Sequence, residues 1–196
     1  MISSRIDPAS QSRLPLVQRD DLDQRGQAVM DRQLDPARGS LVGMHGPVGI
    51  RLHSPVIAES GQALINFYRQ ESVLDKRCQE VAILITARSH DSEFEWAAHD
   101  PAARRAGVPD ATITAILEKA PSDGLDADDA LIIELGRQLF GKRHIDQELY
   151  DRAAARFGNR GLVELVSLMA QYAGTAHLLA AFDVQLPVGK QPVMGS

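Results

Sequence analysis

Apolar residues recur along this chain at the three- and four-residue spacing of amphipathic helices, and no convincing strand alternation competes with them. The clearest run opens at Asp75, DKRCQEVAILITARSH, whose centre from Val81 to Ile85 is nearly continuous and so implies burial on several sides. VAILI alone also fits a buried strand, but the helix-favouring residues around it decide for helix. Upstream, Ser54-Pro55 predicts a helix start, because a serine hydroxyl can cap exposed amides and proline suits the first helical position. That helix should reach about Gln70, with Val56, Leu64, Ile65 and Tyr68 turned inward.

Downstream, Asp91-Ser92 predicts a cap for EFEWAAH. Proline in a helix interior costs about 3 kcal/mol or more, so Pro101 predicts a break near His99. Asp100-Pro101 would then open a further short helix ending at Gly107. Pro109 and Asp110 open ATITAILEKA, and Asp126 caps ADDALIIELGRQLFG, with Asp128 and Asp129 set against the positive helix end. Asp146 caps QELYDRAAARFG, which Gly158 stops, and Asn159 begins the last long helix, which Pro187 ends. Gly26 to about Asp35 forms a short helix. The following stretch, Pro36 to Ser54, carries Gly39, Gly43, Gly46, Gly49 and Pro47, which argue against a long regular helix. The expected organisation is an N-terminal arm (1–25), a single all-α helical-bundle domain (26–186) and a C-terminal tail (187–196).

Composition narrows the picture. The 196 residues are 44% hydrophobic, 24% charged and only 5% aromatic, so alanine, leucine, isoleucine and valine must fill the core, which favours close helix packing. A net charge of −5 without a basic stripe argues against a nucleic-acid partner. No apolar run approaches the roughly 20 residues of a membrane helix, and MISSRIDPASQSRLP lacks the apolar region of a secretory signal. Cys78 is the single cysteine, so no disulfide can form within the chain, which fits a cytoplasmic location.

The candidate chemistry lies between Glu80 and His99. Glu95 and His99 are four residues apart and share a helix face, with Ser92 one turn before Glu95. Glu80 sits in the preceding apolar helix, where an unpaired carboxylate would be pushed towards its neutral form. A histidine titrating near neutrality can exchange a proton with such a carboxylate, so the three form a candidate Glu–His–Glu relay. The bland alternative is a helix-packing contact, since Glu-x-x-x-His is common. His90 and His99 could in principle add metal ligands, but the residues do not make the two-histidine H-E-x-x-H pattern, and no metal or cofactor is expected.

The run LDKRCQEVAILITARSHDSEFEWAAHDPAARRAGV resembles the signature hairpin of the carboxymuconolactone decarboxylase and alkylhydroperoxidase-like superfamily. RLHSP upstream and FGNRGLVELVSLMAQY downstream extend the resemblance from about residue 40 to 185. In the peroxidase branch a glutamate, a Cys-x-x-Cys pair and a histidine feed a redox disulfide. Glu80 and His99 match the glutamate and histidine, but the cysteine positions carry Ser92 and Glu95, which cannot cycle through a disulfide. The resemblance therefore implies the decarboxylase-like branch: a cofactor-free lyase acting on a small carboxylated or lactone-like substrate, assembled as a homo-oligomer, a trimer or hexamer. On that reading His99 delivers the proton, Glu95 orients it and Glu80 holds or replenishes the proton. Ser92, Trp96, His45, His53 and Arg77 are candidates to line or bind substrate, with Arg51 and Arg88 as rival carboxylate clamps. The glycine-rich segment could act as a lid, and Tyr172 and His177 on the last helix could reach the hairpin. Competing readings are an antioxidant peroxidase, disfavoured by the absent cysteine pair, and a binding or assembly protein that keeps the bundle without chemistry.

Overall fold

The computed structural model describes residues 6–35, 37 and 43–195. Among the described residues, eight α-helices and a 3-10 turn at Arg19–Asp21 form the regular structure, and extended pairing is confined to one isolated bridge between Asp7 and Ser12. The all-α class expected from the apolar spacing is what forms. The chain divides into two compact units, Met1–Glu71 with His177–Lys190, and Ser72–Ala176 with Gln191–Ser196.

Among its described residues the first unit contains the 3-10 turn, three helices and residues 177–181 at the end of the last helix. In α1 (Gln24–Leu34) the Asp23 carboxylate caps the start by accepting from the Gly26 amide at 2.8 Å. After it come α2 (Pro47–Leu52) and α3 (Pro55–Gln70). Val29, Met30, Leu52 and Ala58 form a buried cluster, against which Val17, Leu22, Met44 and Val48 pack. The predicted arm pairs with the chain's own later residues: the Arg13 amide donates to the Phe182 carbonyl (2.8 Å) and the Gln185 amide to the Gln11 carbonyl (2.9 Å). In the glycine-rich segment, Pro36 and residues 38–42, including Gly39, lie outside the described residues. Of the remainder, Pro47–Leu52 forms the six-residue α2, and a Cβ on Gly49 would meet the Met44 carbonyl oxygen at 2.1 Å.

Two local expectations for α3 are corrected. Ser54 stands at the cap, but its hydroxyl makes no capping bond; its backbone carbonyl takes the Ala58 amide instead. Val56 is exposed, because the buried stripe runs through Ala58, Gln62 and Tyr68, and two residues along a helix turn a side chain to the opposite face. Gln62 is tolerated inside because its amide oxygen accepts from Arg32 Nε at 2.8 Å.

The second unit is built around α4 (Lys76–Ser89), whose first turn is capped by Asp75 accepting from the Cys78 amide at 2.7 Å. All five residues from Val81 to Ile85 are buried, as the continuous apolar run requires. Helices α5 (Glu93–Arg105), α6 (Asp110–Leu117) and α7 (Ala127–Lys142) pack on α4 from different sides. The break predicted near His99 does not form. α5 runs on through Pro101, which removes one amide donor, while burial of Phe94, Trp96 and Ala103 along the same helix offsets that loss. Gly107, at φ +86°, ends the segment where glycine was expected to end it.

α8 (Gln147–Ala181) starts at Asp146, which accepts from the Leu149 amide at 3.0 Å. Gly158, at φ 65° and ψ 171°, interrupts it where the sequence predicted a stop. α8 closes ahead of the predicted Pro187: Asp183 adopts φ 49° and the Val184 amide reaches back to the Leu179 carbonyl at 3.0 Å. That six-to-one bond is a left-handed helix closure made without glycine.

Two features of this unit carry measurable consequences. Gly136 lets α7 approach α4 closely, since a Cβ there would lie 2.8 and 2.9 Å from the two Cγ atoms of buried Ile85. Gly136→Val should therefore destabilise the protein by about 1–3 kcal/mol in urea unfolding, with overpacking outweighing the gain from removing a helical glycine. An unchanged midpoint would show that α4 and α7 can separate at no cost.

The second feature is Glu164 of α8, whose largely buried carboxylate accepts from Ser72 Oγ (2.8 Å), the Val73 amide (2.9 Å) and Arg160 Nε (2.7 Å). Burial pushes this carboxyl up, but the bonds from Arg160, Ser72 and Val73 together hold it below its ordinary 4.5. A carboxyl lowered by folding stabilises the fold fully above its unfolded pKa and loses that contribution as pH falls through the folded one. Glu164→Gln should cost about 1–3 kcal/mol at pH 7, within the range for hydrogen bonds to a charged group. Denaturant titrations at stepped pH should then show the gap between wild type and variant narrowing below pH 4.5; a gap that stays constant in acid would contradict the assignment.

Candidate active site

The α4–α5 hairpin brings its functional groups together across a short connection, His90 to Ser92, in which Asp91 takes φ 48° and the Ser92 amide donates to the Ala87 carbonyl. This tight reversal lays α5 back along α4. Glu80 and His99, nineteen positions apart, then meet: His99 Nδ1 lies 2.8 Å from Glu80 Oε2. Their side chains are 12% and 15% exposed, so the pair is shielded yet reachable. With the carboxylate ionised, Nδ1 carries the proton and its N–H donates a hydrogen bond to Glu80, which leaves the lone pair of a neutral imidazole on Nε2. Tyr172, from the part of α8 beyond the Gly158 break, packs against the imidazole with ring centres 5.1 Å apart and planes at 89°.

The other predicted residues of the hairpin are buried: Ser92 at 9%, Glu95 at 3% and Trp96 at 4% exposure. Ser92 occupies the cap of α5 without a side-chain capping bond, and its carbonyl accepts from the Trp96 amide. Glu95 lies one turn before His99 on α5. The carboxylate against Nδ1 is that of Glu80, the residue expected to hold or replenish the proton, while Glu95, expected to orient the ring, lies one turn away on α5.

The arginine candidates in this unit are engaged elsewhere. Arg77 donates to Asp129 Oδ2 at 2.8 Å and to Asp126 Oδ1 at 3.3 Å, and Thr112 Oγ1 donates to the same Asp129 oxygen at 2.7 Å. Asp129 is fully buried. Burial pushes its carboxyl up, and the Thr112 and Arg77 bonds only partly counter that. Arg88 Nε donates to the Leu117 carbonyl at 2.6 Å and the same guanidinium pairs with Asp91. Cys78 is 3% exposed, and burial, followed by the Asp75 carboxylate, pushes its thiol up to about 12, so it holds no thiolate at neutral pH.

His45 and His53 belong to the first unit and are exposed, with His53 Nε2 set 3.1 Å from the Pro15 carbonyl oxygen. Arg51 and His177 also fall in that unit. Sequence reasoning ranks Tyr172 low because 73 positions separate it from His99 and no local pattern connects them. It also reads Asp129 only as a helix-end charge, since nothing in the spacing reveals that Arg77 and Thr112 converge on it.

No protein-family model matches the chain, and no curated protein matches it. Among the described residues no helix is long and apolar enough to cross a membrane, and no group of three or more His, Cys, Asp and Glu side chains is placed to hold a metal ion. What the hairpin offers chemically is a histidine whose Nδ1 is held by a carboxylate, with Nε2 as the nitrogen through which a proton can pass to or from a bound molecule.

Proposed function

We propose that this chain is a cofactor-independent acid–base enzyme, a carbon–carbon lyase of the carboxymuconolactone decarboxylase type, acting in the cytoplasm on a small carboxylated or lactone-like metabolite. The observation that carries the reading is the 2.8 Å bond between His99 Nδ1 and Glu80 Oε2 in a largely shielded hairpin. A lone histidine on a packed helix needs no carboxylate on Nδ1, whereas a proton-transfer histidine gains from one. The carboxylate sets the tautomer and balances the imidazolium when Nε2 is protonated.

In the reaction, the electron pair of the bond to the departing carboxylate flows into the conjugated lactone system, whose carbonyl oxygen takes the negative charge as a dienolate. Carbon dioxide leaves, the imidazolium of His99 returns a proton from Nε2 to carbon, and the carbonyl re-forms. Glu80 stabilises the charged imidazole until that transfer and supports its recharging afterwards. Glu95 and Trp96, both buried on the same helix as His99, would stand on the substrate's side of the proposed site. A peroxidase reading is weaker: Ser92 and Glu95 stand where a thiol pair would be needed, and Cys78 is buried and neutral. Assembly as a trimer or hexamer forms part of the proposal, and light scattering coupled to size exclusion checks it, a monomer counting against it.

The test is proton NMR of carboxymuconolactone incubated with the full chain in heavy water. Carbon dioxide loss with deuterium delivered to carbon supports the lyase. Exchange of deuterium without decarboxylation retains the acid–base site and moves the reaction to another substrate. An unchanged spectrum removes this lactone and favours a binding protein on the same bundle.

A further inference from the structure

A single hydrogen bond at Nδ1 does not fully position an imidazole. The ring can still swing about that bond, and a half-turn about Cβ–Cγ exchanges Nδ1 with a carbon and breaks the contact to Glu80. A histidine working through Nε2 therefore needs a second constraint, on the rotation of its ring. Among the described residues, Glu80 from α4 takes Nδ1 of His99 and Tyr172 from α8 packs on its ring, while Glu95 lies one turn earlier on α5. Of these, Tyr172 has the geometry for the task, its ring perpendicular to the imidazole at 5.1 Å between centres. Perpendicular aromatic pairs are a preferred arrangement, and they resist rotation of either ring because a turn brings the two faces into collision. Gly158 breaks the helical backbone of α8 upstream, so the segment that carries Tyr172 is a separate helix from the one that precedes it.

We propose that Tyr172 is a positioning residue for His99, its ring hindering rotation of the imidazole so that Nδ1 stays on Glu80, which sets the tautomer, and Nε2 stays free for the substrate. The inference rests on His99 as the proton-transfer group, but its primary readout requires no substrate. The ring, rather than the hydroxyl, performs the role, so phenylalanine should substitute and an aliphatic side chain should not.

The experiment is nitrogen NMR of the full chain labelled at histidine, recorded above the imidazole titration range, with His99→Gln used to assign the signals. Wild type should show His99 as one tautomer, protonated at Nδ1. Tyr172→Leu should move both nitrogens towards a mixture of tautomers, and Tyr172→Phe should return them to the wild-type positions. Tyr172→Met, which fills the space with a flexible chain, gives the same comparison if the leucine variant folds poorly. In the decarboxylation assay, the leucine or methionine variant should lose about tenfold or more in kcat with KM within about twofold, as expected for misorientation of a reacting group rather than loss of binding. Unchanged tautomers in both aliphatic variants, or a phenylalanine variant that fails as they do, would overturn the role of the ring. If the tautomers mix as expected but wild type turns over no lactone, the positioning role stands and the proposed function falls. Turnover by wild type with unmoved tautomers in the aliphatic variants does the opposite, keeping the lyase and removing Tyr172 from it.

Discussion

Alanine at position 99 should lower kcat/KM for decarboxylation by about 10²–10⁴, the usual contribution of a positioned acid–base group. The loss should appear mainly in kcat, because His99 exchanges its proton during the reaction and is not a charge that holds the substrate. Glu80→Gln is the informative companion. Glutamine still offers an oxygen to Nδ1, whose bond to Glu80 is 2.8 Å in the native protein, but removes the charge that balances the imidazolium. Its turnover should fall between those of wild type and His99→Ala, and the double variant should be little worse than His99→Ala alone, because two groups acting as one unit are not additive. Initial rates from NMR, with melting curves to confirm folding, provide the check. A binding protein would lose nothing measurable in turnover, and equal, independent losses from the two positions would separate Glu80 from the work of His99.

The second large effect concerns Arg77 and belongs to stability. Its guanidinium is the cation beside Asp129, a carboxylate with no exposed surface that also accepts from Thr112. Arg77→Ala removes one partner and leaves the other buried, which typically costs about 3–5 kcal/mol. The cost should shrink in acid. Asp129 has its carboxyl raised by burial, so it is uncharged below its unfolded pKa, where the lost cation matters least, and bears the full desolvation cost only as pH rises through its folded pKa. Replacing both residues with apolar ones of similar volume should recover much of the stability, because a buried pair is often no better than a hydrophobic contact. Urea unfolding of the single and double variants decides the matter. If Arg77→Ala keeps its unfolding midpoint and instead raises KM, the arginine is a substrate clamp and Asp129 tolerates solitude.

Much of this architecture is legible in the sequence, because the signals involved are local. Asp75, Asp126 and Asp146 each cap the helix predicted to follow them, since a short carboxylate can reach the free amides of the next turn wherever the chain enters a helix. Gly158 and Gly107 interrupt helices because a positive φ is accessible there without a Cβ clash. The failures have equally physical causes. Pro101 removes one hydrogen bond, a fixed local penalty, but whether a helix survives it depends on how much apolar surface that helix buries, and this is a tertiary quantity. Its apolar side chain alone places Val56 inside, whereas the buried stripe of α3 follows the neighbours it meets.

The candidate site divides in the same way. Sequence by itself determined that the described residues are all-helical in their regular structure, that Val81–Ile85 lies in a buried helix, and that Glu95 and His99 share a face, because all three follow from periodicity along the chain. Only the tertiary structure decided which carboxylate holds His99, which aromatic ring stands against it, and that Arg77 is matched to Asp129. Those pairings join residues 19, 73 and 52 positions apart in the chain. Spacing along a helix places a side chain on a face; what stands opposite that face depends on how the helices pack, and that is settled by the burial of the whole core together.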